Sequence, residues 1–135
     1  MIGLVFDVSA LRLWGEQASR YLEALVWARA THTGHLAPLI IPTPALVAAL
    51  AGIRPPARAV LDVLLGLDIH IAEPLTPAIA PAIADLMRAA RTSAPEAVTA
   101  AAVVHAAKSR NLPVCTTNPY PLQALWPDIV IDLIP

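Results

Sequence analysis

Three short stretches of the chain carry residues that could do chemistry. GLVF (3–6) runs into Asp7 and then Ser9, and PVCTT (113–117) runs into Asn118. Between them, Ser93-Ala94-Pro95-Glu96 sets a carboxylate at the head of an alanine-rich run. A carboxylate at the end of a buried strand suits two tasks. It could hold a divalent cation or serve in catalysis, since hard cations take oxygen ligands. It could also cap the next helix by accepting its first amide N–H groups. For Asp7 the two readings are compatible. Glu96 carries a similar pair of readings: a ligand, or the partner in a Ser93-x-x-Glu96 capping box. The Ser9 and Thr116 hydroxyls could hold a water or a phosphate, or satisfy backbone at strand ends. Asn118 could bind a metal through its amide, or shape the turn before Pro119. Arg12 is the basic residue closest to Asp7 in sequence; it could pair with that aspartate or approach a phosphate.

Other reactive side chains form no pattern. His32 and His35 straddle Gly34, His70 falls in an apolar run, and His105 lies nine residues after Glu96, half a turn out of phase on a helix. A zinc site is not expected from them. Cys115 has no Cys-x-x-Cys partner and sits in an apolar strand, which predicts a buried inert thiol. Arg88 and Arg91 close one predicted helix, and Lys108 and Arg110 another, where cations suit the helix dipole.

These groups need a scaffold, and 135 residues suit a single domain over 1–135. Hydrophobic residues make up 57% and charged residues 14%, against a usual charged share of about 25%. Disorder is excluded, and a large core with an apolar surface patch is implied. Trp14, Trp27 and Trp126 are the large anchors, and Trp27 falls off the main stripe of its helix, which marks it for a dimer or partner surface. A net charge of −1 supplies no basic field for unaided nucleic-acid binding. A single cysteine suits a reducing cytoplasm. Met1 leads straight into a strand, so no signal peptide is expected. Apolar runs are broken before roughly 18 residues, so no membrane span is expected.

Strand and helix signals alternate along the chain. GLVF (3–6), PLII (38–41), DIHIA (68–72), PVCTT (113–117) and IVIDLI (129–134) read as strands, the last at a sheet edge. Residues 17–31 carry a helical stripe that Gly34 stops. Thr43-Pro44, Pro55-Pro56 and Thr76-Pro77 read as helix starts, and a further helix runs from Ser93 to about Arg110. The pattern predicts a three-layer α/β/α fold with a central, mostly parallel sheet of four to five strands. In such sheets the functional crevice lies at the carboxyl ends of the strands. Asp7 ends the first strand there, and Thr116, Thr117 and Asn118 end the fourth.

Both ends of the chain resemble a known family. MIGLVFDVSAL is similar to the opening of PIN-domain proteins, whose first strand delivers an aspartate followed two positions later by Ser, Thr or Asn. AAAVVHAAKSRNLPVCTTNPYPLQALWPDIVIDLIP (100–135) resembles the close of bacterial PIN domains, especially the VapC-type toxins of toxin–antitoxin pairs. PTPALVAAL (42–50) resembles the family's proline-led helix. Together these cover roughly half the chain in the family's order.

The resemblance implies a PIN-like fold and ribonuclease chemistry, in which converging carboxylates bind Mg²⁺ or Mn²⁺ and the metal positions a water on a phosphodiester. Asp7 would be the metal ligand, Glu96 its supporting acid, and Ser9, Thr116 and Asn118 the holders of water. The set is incomplete. The second acid is expected near Ala48 or Ala49, and both are alanine; the third near Ala97 or Val98, with Glu96 the nearby acid; the fourth is Asn118. The resemblance therefore points to a degenerate site with weak or no nuclease activity and a binding or homodimerising role. The alternative is an active Mg²⁺/Mn²⁺-dependent endoribonuclease using Asp7 and Glu96. An antitoxin-like protein partner is implied in either case, and RNA only if the site works. A phosphoacceptor receiver-like domain would want a lysine at a late strand end, but Lys108, the only lysine, falls in a helix.

Overall fold

Short apolar runs with no polar alternation form the strands of the computed structural model, which describes residues 2–33 and 37–135. They are β1 (Leu4–Phe6), β2 (Leu39–Pro42), β3 (His70–Glu73), β4 (Val114–Thr116) and β5 (Ile131–Leu133). Every residue of β1, β2 and β4 is buried, as strands covered on both faces must be. The sheet is all parallel, in the order β3-β2-β1-β4-β5. Val5 pairs with Ile40 on one side and Val114 on the other, while Phe6 pairs with Cys115. The edge strands β3 and β5 are only partly covered.

Helices flank the sheet in three α/β/α layers. They are α1 (Val8–Gly15), α2 (Arg20–Ala28), α3 (Thr43–Gly52), α4 (Pro55–Leu65), α5 (Ala80–Ala89), α6 (Ala97–Arg110) and α7 (Tyr120–Leu125). Helix α6 carries six fully covered Ala and Val side chains and packs on β1, β2 and β4. Small residues let it lie close to the sheet. No helix among the described residues is long and apolar enough to cross a membrane.

The chain steps outward from β1 to β2 to β3, then returns through α5 and α6 to lay β4 on the other side of β1. The strand order reverses between β1 and β4. That switch point is where a crevice forms at the carboxyl ends of the strands.

Several local expectations are corrected. The helical stripe of 17–31 becomes α2 followed by a π-helical turn, Arg29–Thr33, and Gly34 and His35 lie outside the described residues. Thr43 is not a cap: it is the first residue of α3, and its hydroxyl accepts instead from the Leu75 amide. Thr76 opens a turn, and α5 starts at Ala80. Strand β3 begins two residues later than expected, at His70. Helix α7 went unread, because six residues give too little periodicity to register.

Candidate functional site

Asp7 leaves β1 in extended conformation and occupies the N-cap of α1. Its Oδ1 accepts from the Ala10 amide at 2.9 Å and from Ser9 Oγ at 2.6 Å. Its Oδ2 accepts from the hydroxyl of Thr116, a fully buried residue at the end of β4. Capping and strand-end contact therefore coincide in one carboxylate. The loop after β4 folds back on the same group. The Thr117 amide donates to Ser9 Oγ at 3.0 Å, and the Asn118 amide to Thr116 Oγ1 at 3.1 Å.

A cleft of about 390 Å³ opens here, lined by Asp7, Ser9, Glu96 and Asn118 among others. So the switch point brings together one end of β1, the start of α6 and the loop after β4. Thr116 touches Asp7 from beneath, without lining the cleft. Ala48 from α3 stands on the wall. Val8, Ala100, Val103, Pro121 and Leu122 add apolar surface, and Arg12 lines the cleft as its one cation among the described residues.

Glu96 is exposed and sits in the N-cap position of α6 with no capping bond from its side chain, so the Ser93–Glu96 box does not form. The turn before α6 puts residue 96, not 93, in the N-cap position, and the helix begins at Ala97. Asn118 uses its side-chain oxygen to accept from the Tyr120 amide at 3.4 Å, shaping the start of α7. Arg12 does not pair with Asp7. It reaches the end of α3, where Nη2 donates to Ala48 O at 3.3 Å. Its guanidinium lies over Gly52, where a Cβ would meet it at 2.6 to 2.8 Å. Helix carbonyl ends attract cations, which explains the preference. Thr99 also lines the cleft and was missed by sequence reading. Its spacing of three from Glu96 on a helix was the available signal.

The remaining reactive groups lie elsewhere. Burial pushes the Cys115 thiol up, and the nearby Asp132 and Asp7 carboxylates add to the effect. His70 Nδ1 lies 3.0 Å from Leu65 O. His105 lines a separate groove with Lys108. Lys108 also lies 5.8 Å from the Trp126 ring centre, and Arg110 reaches within 3.8 Å of Glu73. Among the described residues no three His, Cys, Asp or Glu side chains gather where they could hold a metal ion.

Two further features bear on binding. Trp14 and Trp27 meet at 6.0 Å between ring centres and line a groove of about 430 Å³ with Val60 and Val63. Trp27 and Val63 are 44% and 51% exposed, so this apolar groove faces solvent. Across the sheet edge, Tyr21 donates to Asp132 on β5, near the buried Arg29 guanidinium.

The chain matches no model of a known protein family and no curated protein sequence.

Proposed function

We propose that the chain is a PIN-like domain, similar to toxin–antitoxin ribonucleases, whose nuclease chemistry is weak or lost and which serves as a binding or dimerising module. One observation carries the reading. The switch-point cleft gathers Asp7 and Glu96, but Ala48 and the neutral Asn118 line it where the resemblance asks for further acids. A bound Mg²⁺ or Mn²⁺ would polarise a phosphodiester and ready a water. This donor set suits such an ion poorly. Asp7 already accepts three hydrogen bonds on its two oxygens, and Glu96 is the other carboxylate lining the cleft. One or two carboxylates can hold Mg²⁺ beside a substrate phosphate, but here one is engaged, the other is exposed, and no third acid among the described residues lines the cleft to orient the waters.

The partner surface in this reading is the exposed Trp14–Trp27 groove. A homodimer is the expected occupant, with an antitoxin-like protein as the other partner that the resemblance suggests, in a cytoplasmic setting. The second reading, an active Mg²⁺/Mn²⁺-dependent endoribonuclease, is favoured by the meeting of Asp7, Ser9, Glu96 and Asn118 in one cleft. Incubation with single-stranded RNA and Mn²⁺ separates the two. Cleavage at background supports the first. Cleavage that needs Mn²⁺ and vanishes in Asp7→Ala and Glu96→Gln supports the second. Sedimentation at micromolar concentration tests the surface: a dimer that Trp27→Glu converts to monomer is expected, and a monomeric wild type would refute it.

A further inference from the structure

The Asp7 carboxylate is the hub of contacts between two segments more than a hundred residues apart. Each hydroxyl in the network does two things. Ser9 Oγ accepts the Thr117 amide and passes its own proton toward Oδ1. Thr116 Oγ1 accepts the Asn118 amide and passes its proton toward Oδ2. Both oxygens of Asp7 are thus tied, through a neutral relay, to consecutive amides of the loop after β4. The ladder between β1 and β4 is already fading here, with the Asp7 amide 3.5 Å from Cys115 O. Beyond that point side chains replace the ladder.

We infer that Asp7 is a clasp that closes the switch point by fastening the β4–α7 loop to the β1–α1 turn, and is not a cation ligand. A cation at Oδ2 would either share that oxygen and draw charge from the Thr116 bond, or turn the Thr116 proton away. Thr116 is fully buried, and other acceptors within its reach are Asn118 O at 3.3 Å and Ser9 Oγ at 3.4 Å. Turning would give up a charge-assisted bond for a longer neutral one. The loop amides would then hang on a hydroxyl that no longer anchors to charge. The clasp rests on these contacts alone and holds whether or not the chain is PIN-like.

The two roles for Asp7 predict opposite signs. Carboxylates gathered for a metal repel one another when it is absent, so neutralising one raises the stability of the metal-free protein. Neutralising a clasp lowers it. The experiment is thermal unfolding of the full chain, with and without millimolar Mn²⁺, for wild type, Asp7→Asn, Thr116→Val, their double variant and Thr116→Ser. Each of the first two substitutions is expected to lower Tm by about 5 °C or more, from the loss of a charge-assisted bond. The double variant should lose less than the sum. Thr116→Ser keeps the hydroxyl and should hold most of the Tm, and Mn²⁺ should leave the wild type unmoved. A higher Tm for Asp7→Asn would overturn the clasp. So would a wild-type rise with Mn²⁺ that Asp7→Asn abolishes. If Asp7→Asn does not fold, Thr116→Val against Thr116→Ser decides: equal Tm values sink the clasp.

Discussion

Two aspartates flank Cys115 on β4, and the protein satisfies them in different ways. Asp7, on the β1 side, takes two hydroxyls and an amide, all neutral. Asp132, across from Cys115 on β5, takes the Tyr21 phenol and lies near the Arg29 guanidinium. Each has an arginine in its neighbourhood, but Arg12 turns to the end of α3, while Arg29 is buried with Asp132 stabilising its charge. The contrast follows from surroundings. Asp7 opens onto a cleft and a helix N-terminus, where amides and hydroxyls suffice for an anion. Arg29 is buried on the α2 side, where its charge calls for a nearby anion, and the half-buried Asp132 supplies it. The first aspartate therefore fastens two loops through neutral hydrogen bonds, and the second belongs to a network that holds an edge strand and the N-terminal segment to α2.

The strongest way to break this contrast is Arg29→Ala. Arg29 donates from Nε and Nη2 to Ile2 O and from Nη1 to Leu25 O. Its loss leaves Ile2 O without these donors and Asp132 without its cation. Urea unfolding should show a loss of about 3 kcal/mol. A loss near zero would mean that the two aspartates are not held differently after all.

Tyr21→Phe is expected to cost about 1 kcal/mol at neutral pH. Its sharper signature is alkaline. Tyr21 is pushed up to about 12, first by its hydrogen bond to Asp132 and then by burial. The folded state thus prefers the protonated phenol. The stability this contributes is whole below pH about 10, where the unfolded phenol begins to ionise, and is lost as pH rises through about 12. Stability measured across that window should fall for the wild type and fall less for Tyr21→Phe. Parallel curves would separate Tyr21 from Asp132.

The smallest effect is expected on the cleft side. Ser9→Ala removes one arm of the clasp, but Oδ1 keeps the Ala10 amide and the exposed Thr117 can turn to water. A loss of about 1 kcal/mol or less in urea unfolding is expected. A cost equal to that of Arg29→Ala would erase the distinction between neutral hydrogen bonds and a network built on a buried charge.

The sequence announced more of the scaffold than of the site. Apolar runs such as LVF and LII were legible because a doubly covered strand has no polar alternation to hide it. Proline-led starts found α3 and α4 because proline suits the first helical turn. Glu96 was harder: a box motif fitted Ser93, yet the helix begins three residues later, and only the turn before it settles that. For Arg12 the sequence offers a pairing with Asp7 or an approach to a phosphate, but residues five apart on a helix do not share a face, and the guanidinium reaches the end of α3. Tyr21 with Asp132 left no local trace, since 111 residues separate them.

What the sequence determined by itself is local: which runs bury, where strands give way to helices, and that Asp7 stands at a strand end where a cap could form. These follow from side-chain polarity and backbone preference within a few residues. What only the tertiary structure decided is adjacency. Placing β4 beside β1 rather than beside β3 brings Thr116 against Asp7, turns a cap into a clasp, and gathers Glu96 and Asn118 around the same cleft. That placement comes from packing α6 across the sheet with α5 against α6, a collective burial of apolar surface that no single segment encodes.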